Sequence, residues 1–500
     1  MANTIIETAY GKVEGEEANG IYAWKGIPYA KPPVGHLRFQ PPEKPNRWEG
    51  IRDATKFGPV ASQPVREVMQ FLGNEMDKVS EDCLSLNIWS RGKGEKKRPV
   101  MVWIHGGAFL SGSGSSSWYN GATFVERDDV VVVTLNYRLG IMGFLHLGEI
   151  GGEEYTTSGN CGLLDQIAAL EWVQENIEAF GGDPNRVTVF GESAGAMSIG
   201  ALLAMPAAKG LFQQAILQSG AANNVLSTAK ATEVANKMLS ALNVEPNQLS
   251  KLYDIPIEDL LEASELVPMM SLGPVVDGVS IPKHPSEALA EGAAKDIPVL
   301  IGTNKDEWRL FSFFEPMWKD PDESTKQAIF QQTFRDSWPK LAEKFVDERE
   351  GLTHGLYDRL MTMQVFSEPA IRLAESQLKH DTPIWMYRFD WQSPVFNGGL
   401  QACHALELPF VWNTLDYAEH LTGDGPERQR VADQMQAAWI SFVKNGEPRA
   451  EGMPEWPAYD TDKRKTMLIH TESKVESDPH GDDRVKWTEV MTALNQGANL

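Results

Sequence analysis

A chain of 500 residues with 42% hydrophobic and 23% charged side chains is globular and long enough to bury a large core. Its net charge of −23 argues against nucleic acid, whose phosphates would be repelled rather than shed counterions to Lys and Arg. The same charge disfavours anionic membrane surfaces, but as a guide to substrate it says little, because acidic surfaces often serve solubility alone.

In chain order, the N-terminus Met-Ala-Asn-Thr-Ile-Ile-Glu-Thr lacks the basic and apolar regions of a signal peptide. The longest strongly apolar run, residues 130–135, is far too short to span a bilayer. Cys83, Cys161 and Cys403 are widely spaced and odd in number, with no C-x-x-C. That pattern implies reduced thiols and a cytoplasmic location rather than a disulfide framework.

Apolar runs at 100–104, 130–135, 187–190, 215–218, 298–301 and 384–389 are predicted core strands of the kind a sheet covered on both faces requires. Between them, Leu163, Ile167, Leu170, Val173, Ile177 and Phe180 form one helical stripe that stops at Gly181-Gly182. This alternation predicts an α/β fold with right-handed crossovers and a mostly parallel sheet. Residues 222–297 and 311–382 are mainly helix-like and are expected to be cap insertions on a single catalytic domain spanning 1–500. The charged, turn-rich stretch 471–483 is expected to be solvated surface.

Residues 186–195 read R-V-T-V-F-G-E-S-A-G, an apolar strand running straight into Gly-Glu-Ser-Ala-Gly. By average usage a bare G-x-S-x-G arises by chance in roughly one of six chains this long, so context decides. Here a strand precedes it and an Ala/Leu/Met-rich helical segment, 194–205, follows. This is the form of a nucleophile elbow, in which a serine sits on a turn so sharp that Gly191 and Gly195 have no room for side chains. Ser193 is the candidate nucleophile.

A serine hydroxyl needs a base to take its proton. In this architecture the order is Ser, then Asp or Glu, then His, on loops after later strands. His404 lies in the loop after strand 384–389, within G-G-L-Q-A-C-H-A-L-E-L-P-F. The strand at 298–301 ends in G-T-N-K-D-E-W, where Asp306 and Glu307 both qualify as the acid and spacing does not choose between them. Strand 100–104 ends in His105-Gly106-Gly107, adjacent glycines that let backbone N–H groups approach an oxyanion. With the N–H of Ala194, Gly106 and Gly107 complete a candidate oxyanion hole.

At this point the chain resembles the type-B carboxylesterases, the cholinesterase-like branch of the α/β hydrolases, and particularly their bacterial para-nitrobenzyl esterase-type members. The resemblance runs from about Gly11 to Tyr459. It is carried by W-K-G-I-P-Y-A-K-P-P-V-G-H-L-R-F (24–39), S-E-D-C-L-S-L-N (80–87), N-Y-R-L-G (136–140), F-G-G-D-P-N-R-V-T-V-F-G-E-S-A-G (180–195), T-N-K-D-E (303–307) and H-A-L-E-L-P-F (404–410).

The resemblance implies an α/β-hydrolase fold and a cofactor-free serine carboxylesterase acting on small-molecule esters. It implies Ser193 as nucleophile, Glu307 rather than Asp306 as acid and His404 as base. Glu192 would be a buried carboxylate near the histidine. Family position further implies Leu272, Phe313 and Phe366 as pocket residues, drawn from a wider apolar inventory that includes Phe311 and Met363. In secreted eukaryotic relatives the cysteine of E-D-C-L pairs with an upstream cysteine. Cys83 is the first cysteine here, so segment 62–78 is expected to be freer and to flank the entrance. Trp308 stands where relatives commonly have Gly, and is expected to narrow one wall. Two rival readings share the scaffold: a specialised carbamate, pyrethroid or xenobiotic ester hydrolase, and a non-catalytic binding protein.

Overall fold

The computed structural model describes residues 4–73, 78–94, 97–268 and 270–497. All six predicted core strands form and join one sheet, which has eleven strands among the described residues. In chain order they are β1 (Glu16–Ala18), β2 (Ile21–Pro28), β3 (Ser85–Ser90), β4 (Arg98–Ile104), β5 (Val131–Leu135), β6 (Gly182–Glu192), β7 (Gln214–Gln218), β8 (Val299–Asn304), β9 (Ile384–Phe389), β10 (Lys465–Ile469) and β11 (Lys474–Ser477). Their spatial order is β11-β10-β9-β8-β7-β6-β4-β5-β3-β2-β1. Every pair from β10 to β5 is parallel, and antiparallel pairs close both ends.

Alternation along β4 shows how the sheet separates two cores. Val100, Val102 and Ile104 enter one, packed by helices α1 (Cys161–Asn176) and α2 (Ala194–Leu202). Met101 and Trp103 enter the other, packed by α3 (Glu427–Asn445) through Val431, Met435, Trp439 and Phe442. The predicted helical stripe is buried throughout, but its last turn tightens into a 3-10 helix, Ile177–Phe180, that ends on Gly181 at φ 89°. Beneath the sheet, Arg138 and Asp165 form a buried two-pronged ion pair at 2.8 and 2.7 Å, tying the loop after β5 to α1.

The segment 222–297 holds helices Thr228–Ala241, Ile257–Ser264 and Pro285–Ala290, together with a small parallel strand pair, Leu226–Ser227 and Val275–Val276. The segment 311–382 packs Phe330, Trp338, Leu341 and Leu360 into a separate apolar cluster.

The stretch 471–483 is exposed or half-buried throughout, as expected of solvated surface, yet it is not all turn. It contributes edge strand β11 and the start of a terminal helix, Gly481–Gly497. That helix buries Trp487 and Val490 against the Trp338 cluster. Among the described residues no helix is long and apolar enough to cross a membrane.

Candidate active site

Strand β6 delivers Ser193 at the start of α2 with φ 53° and ψ −125°. A non-glycine residue there stores roughly 1–3 kcal/mol of backbone strain, which must be held by its surroundings. Two contacts hold it: the Ser193 N–H donates to Gln218 O at 2.9 Å, and its carbonyl accepts from Met197 N at 2.8 Å. A methyl on Gly191 would lie 2.7 Å from Ile104 O, and one on Gly195 would overlap that same oxygen. Both glycines are therefore needed because β4 runs against the turn.

Strand β4 ends at Ile104, and the next loop brings Gly106 and Gly107 alongside. A methyl on Gly106 would sit 3.1 Å from Ser193 Cβ. Gly107 adopts φ +110°, and a side chain there would overlap Ser111 O. Among the described residues neither glycine N–H has a hydrogen-bond acceptor. Ala194, fully buried, opens α2, so its N–H is one of the four without an intrahelical partner.

The loops after β8 and β9 meet over this point. His404 Nδ1 faces Glu307 Oε2 at 2.6 Å, while Glu307 Oε1 accepts from Asn304 N at 2.7 Å. The two loops are also joined through backbone, His404 N–H to Glu307 O at 3.2 Å. Of the two acids that spacing left open, Glu307 is wholly buried against His404. Asp306 instead accepts from Ala402 N and lines a different cavity with Lys305 and Arg309.

His404 Nε2 lies 3.0 Å from Glu192 Oε1. Burial by itself would lower the imidazole pKa, but Glu192 and Glu307 outweigh it and raise it to about 9. Burial also pushes the Glu192 carboxyl well above its ordinary range, opposed by His404 and reinforced by Glu407 and Glu307. Glu407 itself is raised to about 7 by burial first and Glu307 next, although Asn304 Nδ2 and Gln218 Nε2 donate to it at 2.7 and 3.1 Å.

These groups open on a cavity of about 280 Å³. Ser193, His404, Glu192 and Gly107 line it, with an apolar wall that includes Met69, Leu72, Met197, Trp308, Phe311 and Phe366. Phe366 and Phe311 pack their rings 4.8 and 5.1 Å from the His404 ring. Larger hollows, of about 530 and 690 Å³, lie elsewhere and contain none of these groups, so size alone would misplace the site.

Of the three pocket residues expected from family position, Phe366 lines the cavity. Leu272 and Phe313 lie outside its lining. Leu272 is 2% exposed within the main core, and the Phe313 ring is taken up by Phe314, Phe396 and the Arg309 guanidinium. Met69, Leu72, Met197, Asn224, Met270 and Val365 were not singled out in sequence. Only the proximity of Met197 to Ser193, one helical turn on, could have pointed to any of them.

Segment 62–78 does border the cavity, through Met69 of helix Glu67–Phe71 and Leu72 just after it, and residues 74–77 lie outside the described residues. Backbone and side-chain bonds tie the segment down: Val60 N to Lys78 O at 2.8 Å, Ser116 Oγ to Gly73 O at 2.7 Å and His420 Nε2 at 2.6 Å from Phe71 O. Cys83, Cys161 and Cys403 are all buried and free.

The family model described as the carboxylesterase family matches residues 2–487. The para-nitrobenzyl esterase of Bacillus subtilis (strain 168) is 44% identical over 505 aligned positions, covering 97% of this chain and 99% of that protein. The phenmedipham hydrolase of Pseudarthrobacter oxydans is 34% identical, covering 94% and 96%. Among solved structures, the Geobacillus stearothermophilus carboxylesterase EST55 at pH 6.2 superposes with a TM-score of 0.88 at 45% identity, covering 97% of this chain and all of that one. The fold is that of the α/β hydrolases.

Proposed function

This chain belongs to the carboxylesterase family, and from that premise we propose that Ser193, His404 and Glu307 hydrolyse small carboxylic esters through an acyl-enzyme. It is a serine carboxylesterase, a carboxylic ester hydrolase. The observation that carries the residue assignment is the buried Glu307–His404 contact of 2.6 Å, converging on the cavity that Ser193 lines.

Ser193 Oγ attacks the ester carbonyl as His404 Nε2 takes its proton. Negative charge on the carbonyl oxygen is received by the N–H groups of Gly106, Gly107 and Ala194, which are held in place before the reaction begins. His404 then gives its proton to the departing alcohol. Water, deprotonated by the same nitrogen, releases the acid. Glu307 fixes the Nδ1–H tautomer and stabilises the imidazolium; His404 must be neutral to begin the cycle.

The segments 222–297 and 311–382 are read as caps on one catalytic unit. The first contributes Asn224 and Met270 to the cavity, and the second contributes Phe311, Val365 and Phe366. Three buried free thiols support a reducing, cytoplasmic setting.

Stopped-flow release of p-nitrophenol from a short-chain ester tests the assignment. Wild type is expected to show a burst or a steady rate that Ser193→Ala lowers by about 10⁴-fold or more. A loss below tenfold would remove Ser193 from the mechanism.

A further inference from the structure

Two walls of the active-site cavity meet in an aromatic contact at the surface of the molecule. On one wall Met69 and Leu72 line the cavity, and Phe71 lies between them in the chain, half-buried. On the other wall Phe311 lines it. Phe314 follows three residues later, on the same face of the turn that ends helix Arg309–Phe313. The Phe71 and Phe314 rings stand 5.9 Å apart, edge to face. Phe396 extends the group, 5.7 Å from Phe314 and 5.5 Å from Phe313. Phe314 and Phe396 are each 51% exposed, which leaves large apolar rings in water beside the cavity.

Phe396 is held there against its backbone preference. It and Asn397 both adopt the left-handed conformation, at φ 51° and 55°. Asparagine is tolerated in that region, whereas a bulky phenylalanine is an outlier. Such strain persists only where the surroundings over-determine it. Here they do. Arg309 Nε donates to Gly399 O at 2.7 Å, its guanidinium covers the Phe313 ring at 5.2 Å, and Ser393 N donates to Gln401 O at 3.0 Å. Two features that ordinarily destabilise a fold, a strained Phe and its exposed ring, thus coincide at the edge of the site.

What the rings adjoin decides what would cover them. The cavity of about 280 Å³ lies just below the ~300–1,000 Å³ of ordinary small-molecule pockets. A short-chain ester fits inside it, and the hydrocarbon of a long one must extend past the rim. Exposed rings at that rim remove the emerging chain from water. Macromolecular occupants match less well. A second copy carries the same net charge of −23 and is repelled, as is an anionic lipid surface.

We infer that Phe71, Phe314 and Phe396 form a rim subsite that takes the distal hydrocarbon of long-chain esters and sets chain-length preference. The inference rests on the acyl-enzyme reading of the cavity they adjoin.

The test compares wild type with Phe314→Ser, Phe396→Asn and the double variant. Neither residue lines the cavity, and asparagine suits the left-handed backbone at 396. p-Nitrophenyl butyrate and decanoate form the acyl series, and butyl and decyl acetate the alcohol series, each used below its solubility limit.

The readout is the ratio of kcat/KM for the long ester to that for the short one, which cancels any difference in active fraction. In at least one series the double variant is expected to lower that ratio by about tenfold, with kcat/KM for the short ester kept within about twofold. The single variants supply the ratio if the double variant does not fold. Phe314→Leu, still apolar, should keep the wild-type ratio, and its loss there would overturn the inference by making ring packing the cause. An unchanged ratio in both series also overturns it. Light scattering would then show whether a second copy covers the patch, through loss of a dimer in the double variant. Absence of wild-type turnover on both short esters would instead overturn the acyl-enzyme reading, and the inference with it.

Discussion

Glu192 Oε1 stands 3.0 Å from His404 Nε2, on the opposite side of the ring from Glu307, whose Oε2 is 2.6 Å from Nδ1. Both ring nitrogens therefore look onto carboxylates in a buried site. This favours the imidazolium, which is the form that does not act as base.

The pH dependence follows from that arrangement. With the His404 pKa raised to about 9, kcat/KM should climb with pH across the neutral range as the base is freed. The group titrates with its carboxylate neighbours, so the apparent value belongs to the cluster. Glu192→Gln removes one field that holds the proton, and its acid limb should move to lower pH. A wild-type profile flat from about pH 5 to 8 would contradict the role of His404, and an unmoved limb in the variant would contradict that of Glu192. The raised pKa also has a stability side. Protonated His404 stabilises the fold fully below about pH 6.5, its ordinary value, and that contribution is lost as pH rises through about 9.

Gly195 tests the elbow as backbone geometry. A methyl there overlaps Ile104 O, so Gly195→Ala must displace either β4 or the nucleophile turn. Ester hydrolysis is expected to fall by about 10²-fold or more, since a shift of about 1 Å at a reacting group is that costly. Active-site titration with a serine-directed fluorophosphonate would show the same loss. Full labelling at the wild-type rate would mean that the turn tolerates the side chain.

Trp308 lines the cavity and packs against Phe311 at 4.9 Å. Trp308→Ala should open that wall and raise kcat/KM for bulky branched or aryl acyl groups over acetate by about tenfold. A chain-length and branching series of p-nitrophenyl esters measures this directly. An unchanged ratio would place Trp308 outside the substrate's reach.

Asp165 accepts from Arg138 Nε, Nη2 and the Arg138 backbone N–H, with neither side chain more than 2% exposed. Burial alone would lower the guanidinium pKa, and Asp165 more than restores it. Asp165→Asn leaves that cation without its counter-charge and should cost about 3–5 kcal/mol. The denaturant midpoint reports this, with the pH profile of any residual activity unchanged. A midpoint at the wild-type value would show that water or the Gln40 carbonyl, which accepts from Arg138 Nη1 at 2.8 Å, compensates.

Much of this protein was determined by local sequence. Short apolar runs such as 100–104 and 215–218 announce strands buried on both faces, and G-E-S-A-G after one of them fixes where a nucleophile turn must fall. Edge strands were not legible in the same way. Lys474–Ser477 has a single apolar residue, Val475, and takes its strand form from pairing with Lys465–Ile469, a partner the local pattern does not contain. The terminal helix was missed for a related reason, since its identity depends on Trp487 and Val490 finding the distant Trp338 cluster.

At the site the division is the same. Residue type and chain order produced Ser193, His404 and the pair Asp306/Glu307, because proton transfer needs those chemistries after those strands. Which acid meets the histidine was open to spacing and is decided by how the β8 and β9 loops close: Glu307 turns inward to His404 and Asp306 turns to Ala402. The cavity wall was decided by tertiary structure almost entirely. Leu272, Phe313 and Met69 look alike to a reading of hydropathy, and nothing in the local sequence marks Asn224. The crossing of loops and caps places Met69 and Asn224 on the cavity and leaves Leu272 and Phe313 in packing. Backbone periodicity is local and therefore written in the sequence. A cavity is the space left between segments hundreds of residues apart, and only their packing defines it.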